Sequence, residues 1–335
     1  MAVQQGSIRF GLAAETTEGT AIAAPQYVFG LESGGAIAPN IAQEKDDLTS
    51  GQRSSSSVYR SGAEPGTSIL GRANLASMGM VLWGALGGKA VTGASAPYTH
   101  TFKLANTLPS FTLFEIIPDG AGIDVPRLAG AKVDSLELSW TGNGPLKVSA
   151  SYKGRALSFG ASGTASVTDE TSLTTNFIPA GGTFKLSVDS GTPATALIKS
   201  GTITLTNKLV QQQYSGTITP GAVDAGWHDA ICTFVLVPDD IDLWRTTVTG
   251  TSSGAGIANA PVYGSFEHIF KSQGGTAAHQ LKLSAAKVGF MPEAVEAQAQ
   301  GGAWEADFGG EIVNDGTNGT VVVELTNATA TYAAP

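Results

Sequence analysis

Leu136, Leu138 and Trp140 alternate with Glu137 and Ser139, and beyond Thr141-Gly142-Asn143-Gly144-Pro145 the alternation resumes. There Leu146, Val148, Ala150 and Tyr152 are separated by Lys147, Ser149 and Ser151, with Lys153 next. A period of two sends successive side chains to opposite faces of a strand. Two such runs across a Gly-Asn-Gly turn predict a β-hairpin with one apolar and one wet face. Shorter runs predict further strands at Phe184/Leu186/Val188, Ile203/Leu205, Phe234/Leu236 and Val321/Val323/Leu325. Helical spacing is rare. Leu75, Met78, Leu82 and Leu86 follow Asn74, a capping residue, and precede Gly87-Gly88, which predicts a helix over 74–86. Gly79 and Gly84 weaken that helix, and Met78 and Trp83 read as packing residues. Pro238 to Trp244 predicts a short capped helix, and Gly30 to Gly35 a turn between extended segments.

Two stretches break the patterning. Residues 39–67 are polar, charged and Ser-rich around Arg53 to Arg60 and read as a long loop or arm. A Gly/Ser/Thr/Ala-rich stretch begins near 158 and is read as a linker over 161–182. The runs on either side of it look like weak copies of one another. Ser110-Phe111 matches Ser265-Phe266, and Leu128-Ala129-Gly130-Ala131-Lys132-Val133 matches Leu283-Ser284-Ala285-Ala286-Lys287-Val288, both 155 residues apart. Ala150 to Gly154 resembles Ala306 to Gly310 at a spacing of 156, and Leu82-Trp83 matches Leu243-Trp244 at 161. The expected organisation is a mainly β chain with a short flanking helix, duplicated in tandem: a first domain over 1–160, the linker, and a second over 183–335.

Composition narrows the class. Hydrophobic residues make up 42% of the 335, enough for a real core, while charged residues are only 14%, well under the usual share of about 25%. That balance suits β-structure and a surface covered by copies of the same chain, and it is not that of a disordered chain. The net charge is −9, and residues 171–335 hold 7 Lys/Arg against 14 Asp/Glu. There is no basic run of the kind that grips duplex phosphates. The single cysteine, Cys232, lies in the apolar run Ile231-Cys232-Thr233-Phe234 and reads as a buried small hydrophobe. Met1 to Gln5 lacks the basic and apolar regions of a signal peptide, and no run of 18 apolar residues exists, so synthesis in a cytoplasm and no membrane partner are expected.

Searching for chemistry returns little. His100, His228, His268 and His279 form no HExxH or zinc-spaced cluster. There is no nucleophile elbow, and the Gly-rich stretch from Gly250 to Gly256 lacks the Lys and helix of a phosphate cradle. Asp239, Asp240 and Asp242 are followed by Leu243-Trp244-Arg245, which fits a helix start better than a calcium loop. No catalytic, cofactor-binding or metal residue is therefore assigned, and no enzyme activity is expected.

The order of features carries a resemblance. Phe10-Gly11-Leu12-Ala13-Ala14-Glu15-Thr16-Thr17-Glu18-Gly19-Thr20-Ala21 resembles the opening G-x-E-x-T-x-G-T-A of the tail tube proteins of long-tailed bacteriophages. The Ser/Arg-rich loop and Leu82 to Gly88 follow in that family's order. Tyr98-Thr99-His100-Thr101-Phe102 with Leu108-Pro109-Ser110 is similar to its THTF…LPS stretch, and Gly130 to Leu136 to its G-x-K-V-x-S-L strand. The second half matches less distinctly, best at Leu205-Thr206-Asn207-Lys208. The resemblance implies a virion structural protein, the major tail protein, with a tail-tube-type β-sandwich or barrel. Such proteins build stacked rings whose inner sheets join around a channel. A doubled chain implies trimeric rings with pseudo-sixfold symmetry, with hexamers as the alternative. The implied partners are further copies of the chain, a tape-measure protein, a tail terminator and distal tail proteins, while DNA crosses the channel without specific binding. A capsid decoration or baseplate protein and a carbohydrate-binding β-sandwich are the competing readings. A channel wall that is acidic or neutral is expected, with Glu137 the foremost inward-facing acid.

Overall fold

The computed structural model describes residues 8–45, 57–118, 123–160, 175–189, 193–238, 241–273, 279–292 and 305–333. The first half of the chain holds β1 (Arg9–Ala14), β2 (Tyr27–Phe29), β3 (Leu31–Gly34), β4 (Ile41–Lys45), β5 (Val58–Ala63), β6 (Gly66–Arg72), α1 (Met78–Leu86), β7 (Gly87–Thr92), β8 (Tyr98–Leu104), β9 (Phe111–Pro118), β10 (Ile123–Thr141), β11 (Lys147–Lys153) and β12 (Ala156–Gly160). After it come β13 (Phe177–Ile178), β14 (Phe184–Ser187), β15 (Ala194–Thr195), β16 (Ile198–Thr206), β17 (Val210–Gln212), β18 (Ala222–Asp224), β19 (Asp229–Leu236), α2 (Asp242–Thr249), β20 (Tyr263–Ser272), β21 (Gln280–Pro292), β22 (Ala306–Ile312) and β23 (Val322–Asn327). The molecule is thus mainly β with two short helices among the described residues.

One ladder organises the strands. Pair by pair it runs β3–β6–β11–β10–β16–β19–β22–β21, antiparallel throughout. Two long strands reach beyond it. The first part of β10 carries β9 on one side and β12 on the other, and β9 continues to β1 and β2. Likewise β21 carries β20 and β23, and β20 continues to β14 and β15. Finally β23 pairs with β8, which pairs with β7. Among the described residues the ladder never returns to its starting strand.

The two halves use the same pairings. Leu12 faces Leu113, which faces Leu128; Phe184 faces His268, which faces Leu283. Val133 faces Tyr152 and Val288 faces Ile312. In each half the strand before the helix pairs with the strand after the long one, β6 with β11 and β19 with β22.

Alternation explains the core. Leu136, Leu138 and Trp140 are buried beside Val148 and Ala150 on one side and Ile203 and Leu205 on the other, and Cys232 and Phe234 continue the layer. Helix α1 covers the first-half end of that layer, and all its residues but Trp83 are buried. A helix apolar on every side belongs inside a core. Its two glycines, unfavourable for a helix in isolation, are set by close approach. A Cβ at Gly79 would stand 2.2 Å from the Tyr332 ring, and one at Gly84 would stand 2.7 Å from Val133.

Several expectations change in detail. The predicted helix over 74–86 starts at Met78. The Asn74 carboxamide oxygen instead accepts from the Ala76 and Ser77 amides at 3.2 and 2.9 Å, ordering the turn before the helix. The predicted turn at Gly30–Gly35 contains a strand, because Leu31, Ser33 and Gly34 find partners on β6. The arm over 39–67 is a two-stranded ribbon where it is described, β4 paired with β5. Residues 46–56 of that arm, and 161–174 of the predicted linker, lie outside the described residues. Within the linker range, β13 pairs with β20. The second helix lies later than Pro238–Trp244, at Asp242–Thr249, with Asp239 and Asp240 outside the described residues.

His268 makes the core acid-sensitive. It is 2% exposed, its ring centroid lies 4.0 Å from Phe270 and 4.8 Å from Trp140, and its Nδ1 has no hydrogen-bond partner. Burial pushes its pKa down to about 3. The folded pKa lies below the unfolded one, so this contribution is complete above about pH 6.5 and is lost as pH falls towards 3. His100 and His228 are shifted in the same direction by burial. Replacing His268 by Leu, the residue of the matching ladder position at Leu113, is expected to flatten the fall in Tm between pH 7 and pH 4 and to raise Tm at pH 5. Calorimetry across that range checks it.

Candidate assembly surface

The ladder has a second face, rich in hydroxyls. Ser149, Glu137, Thr204, Ile231 and Glu311 stand in register across five strands. The next row reads Lys147, Ser139, Thr202, Thr233, Gly309 and Met291. A third reads Ser151, Ser135, Thr206 and Asp229. Burial along these strands alternates, so these residues lie opposite the core layer. Most charges on the face are matched: Arg72 and Lys147 with Glu32, Lys153 with Asp134, and Lys208 with Asp229. The Arg72 hydrogen bond holds the Glu32 carboxyl below the usual range. Glu137, Asp307 and Glu311 have no ion-pair partner among the described residues, so the uncompensated charge of the face is acidic.

Asn207 locks the two halves where β10 meets β16. Its carboxamide nitrogen donates to the Ala85 and Val133 carbonyls at 3.0 and 2.9 Å. Its oxygen must then accept from Nδ1 of His228, 2.9 Å away, which leaves Nε2 of His228 to accept from the Thr320 hydroxyl at 3.1 Å. Four segments therefore converge on one buried amide. A groove of about 550 Å³ opens beside it, lined by Trp227, His228, Glu311 and Thr320 among others. Both ring nitrogens of His228 are held by neutral groups, so the ring is fixed in place and not set as a base.

The other residues singled out in the sequence are structural clamps. Glu15 accepts from the Gly19 and Gly130 amides at 2.8 and 2.9 Å and from the Thr112 hydroxyl at 2.8 Å. Gly130 has φ +64°, a conformation that favours glycine. Lys132 pairs with Glu18 at 2.9 Å and donates to the Val223 carbonyl at 2.7 Å. The Glu15–Gly19 and Gly130–Lys132 motifs thus meet in space, which no spacing along the chain reveals. His100 donates from Nε2 to the Thr329 carbonyl at 2.8 Å and rests edge-on to Tyr332. Cys232 is buried and its thiol pushed up to about 12, which leaves it unreactive. Asp242 pairs with Arg245 in the first turns of α2. His279 lies just before β21, and its carbonyl accepts from the Ser272 amide at 3.3 Å. No group of three His, Cys, Asp or Glu side chains suited to a metal occurs among the described residues.

The arm leaves the wet sheet between β3 and β6. Val58 and Tyr59 on it are more than half exposed. A second, shorter ribbon, β17 with β18, leaves between β16 and β19 and buttresses the arm's base. The Ala63 amide donates to the Ile218 carbonyl at 2.9 Å, and the Gln213 side chain donates to the Ala63 carbonyl at 2.9 Å.

A family model described as phage tail tube protein matches residues 7–250. No curated protein matches the chain. The matched span covers the clamps at Glu15 and Lys132, the arm, both ribbons and Asn207.

Replacing Asn207 by Ala strands two buried carbonyls and one imidazole N–H. At about 1–3 kcal/mol for each unsatisfied buried group, a loss of about 3 kcal/mol is expected. A fall in the urea midpoint with an unchanged slope checks it.

Proposed function

The chain belongs to the phage tail tube proteins and is a structural protein of the phage tail; we propose that it polymerises into stacked rings around a channel through which the genome leaves the particle. The observation that carries this reading is the open ladder. Eight strands form a sheet with one apolar and one wet face; among the described residues β3 at one end pairs with β6 alone, and β21 at the other leaves Phe290–Pro292 unpaired beyond β20. Free sheet edges invite pairing with another chain, and a ring of copies satisfies both ends at once.

In this reading the hydroxyl face lines the channel. Lys and Arg on phosphates release counterions and bind strongly, whereas serines and threonines do not. The unmatched Glu137, Asp307 and Glu311 keep the wall mildly repulsive at the short range that salt allows, about 8 Å at physiological strength. The apolar face and its helices lie away from the channel, and the arm over 39–67 reaches the next ring. The tape-measure protein, tail terminator and distal tail proteins are the expected partners.

The repeated pairings support a tandem duplication, with domains over 1–160 and 183–335. They also refine the alignment. Tyr152 and Ile312 take the same place opposite Val133 and Val288, a spacing of 160 and not 156. Two equivalent sheets per chain favour a trimeric ring with pseudo-sixfold symmetry over a hexamer.

Electron microscopy of the purified protein is the direct test. Tubes whose averaged rings contain three chains support the reading. Six chains per ring would show that only one half lines the channel, and monodisperse monomers under all conditions would overturn tube formation. The wall charge is tested separately: replacing Glu137, Asp307 and Glu311 by Lys is expected to leave tubes intact and to slow DNA ejection from reconstituted particles.

A further inference from the structure

The two halves share their ladders but not what covers their outer layers. Within the chain, the first half lends its helix and hairpin to the second. The Asn327 carboxamide donates to the Leu75 carbonyl, just before α1, at 2.5 Å, and Tyr332 closes over Gly79. The hairpin β7–β8 that follows α1 adds itself to β23, with His100 opposite Leu325. All of α1 but Trp83 is buried, and so is Leu325.

The counterparts of these elements are bare. Helix α2 follows β19 as α1 follows β6, and both helices end on a glycine with φ +82°, Gly250 and Gly87. Yet only Thr246 and Thr247 of α2 are buried, and Ile241 just before it is 45% exposed. Where β7 and β8 follow α1, residues 250–262 follow α2 without a strand, and Ile257 there is 83% exposed. The counterpart of β23 is β12: Leu281 faces Leu325 as Pro126 faces Phe159, at the same spacing that separates Leu128 from Leu283. Phe159 thus holds the place of the buried Leu325, and it is 70% exposed. Among the described residues β12 pairs with β10 alone.

Single exposed apolar side chains are ordinary on a protein surface. Here they fall at the places that the other half keeps covered. We propose that α2 and residues 250–262 of one copy cover β12 and Phe159 of the next copy round the ring, as α1 and its hairpin cover β23 within the chain. This inference rests on the ring reading above and concerns the outer layer, not how the inner sheets meet. A second copy is the occupant because the chain already makes the equivalent contact once, between its own halves. Neither β12 nor residues 250–262 carries a charged side chain, so closing them together buries no ion.

The test places the photo-reactive p-benzoylphenylalanine at position 159 of the full chain. Illuminated tubes are expected to give cross-linked species on a denaturing gel up to the number of chains in one ring and none beyond. Peptide mapping is expected to place the second attachment within 241–262, and free subunits to give no cross-linked species. Tubes that give no such species, species that run beyond one ring, or attachment to other segments overturn the contact and leave the tube reading standing. A chain that never forms rings, substituted or not, overturns both. Phe159→Ser and Ile257→Ser give a second measure. Each is expected to leave the Tm of the free subunit unchanged and to raise the concentration needed for tubes on the order of tenfold, the worth of one large apolar side chain. A fallen subunit Tm or an unchanged threshold overturns the proposal.

Discussion

The antiparallel ladder between β10 and β16 is the constraint on which the rest of the molecule depends. It joins residues of the two halves through backbone hydrogen bonds, whose individual net contribution is only about 1 kcal/mol but whose absence in a buried sheet costs more. Because that ladder fixes register, it also fixes which side chains share a face. Leu136 and Leu138 meet Leu205 and Ile203 on the apolar side, and Glu137 and Ser139 meet Thr204 and Thr202 on the wet side. A slip of one residue would reverse both faces. Asn207 stands at the end of the ladder and holds it to α1 and to Thr320 through His228, so register, helix position and the second half are set together.

A sheet with one dry and one wet face is common; one that leaves strand edge unpaired, as along β3 among the described residues, is a hazard. The chain does not blunt these ends with lysines, and its charged content is low. The composition, poor in charge and rich in small polar residues, fits the proposal that much of the surface is covered by further copies while the hydroxyl-rich rows stay wet.

Much of this was legible in the sequence, and the limits have physical causes. The hairpin of β10 and β11 was readable because a half-buried strand must alternate. The matched spans around Val133 and Val288 were readable because both face equivalent partners. Helix α1 ends at Leu86 before Gly87 as the sequence indicates, but starts four residues later, since Asn74 spends its oxygen on a preceding turn. Its glycines looked adverse because Tyr332, far along the chain, cannot be seen packing on Gly79. The turn assigned to Gly30–Gly35 failed for the same reason: a strand of four residues takes its identity from β6, not from its own composition. Alternation also put Glu137 on the polar side of its hairpin, and it stands exposed opposite the core layer. The converging bonds at Asn207 and the meeting of Glu15 with Gly130 had no signal in spacing at all.

The position of Tyr332 has a consequence for how the subunit is made. Its ring closes over Gly79, Phe102 and His100, and β23, just before it, pairs with β8. Contacts between residues more than two hundred positions apart form slowly, because the chain between them must be ordered first. The packing over α1 at Gly79 is therefore completed only once the residues around 330 have been synthesised. Incomplete chains expose that apolar helix face, the kind of surface that chaperones and proteases recognise.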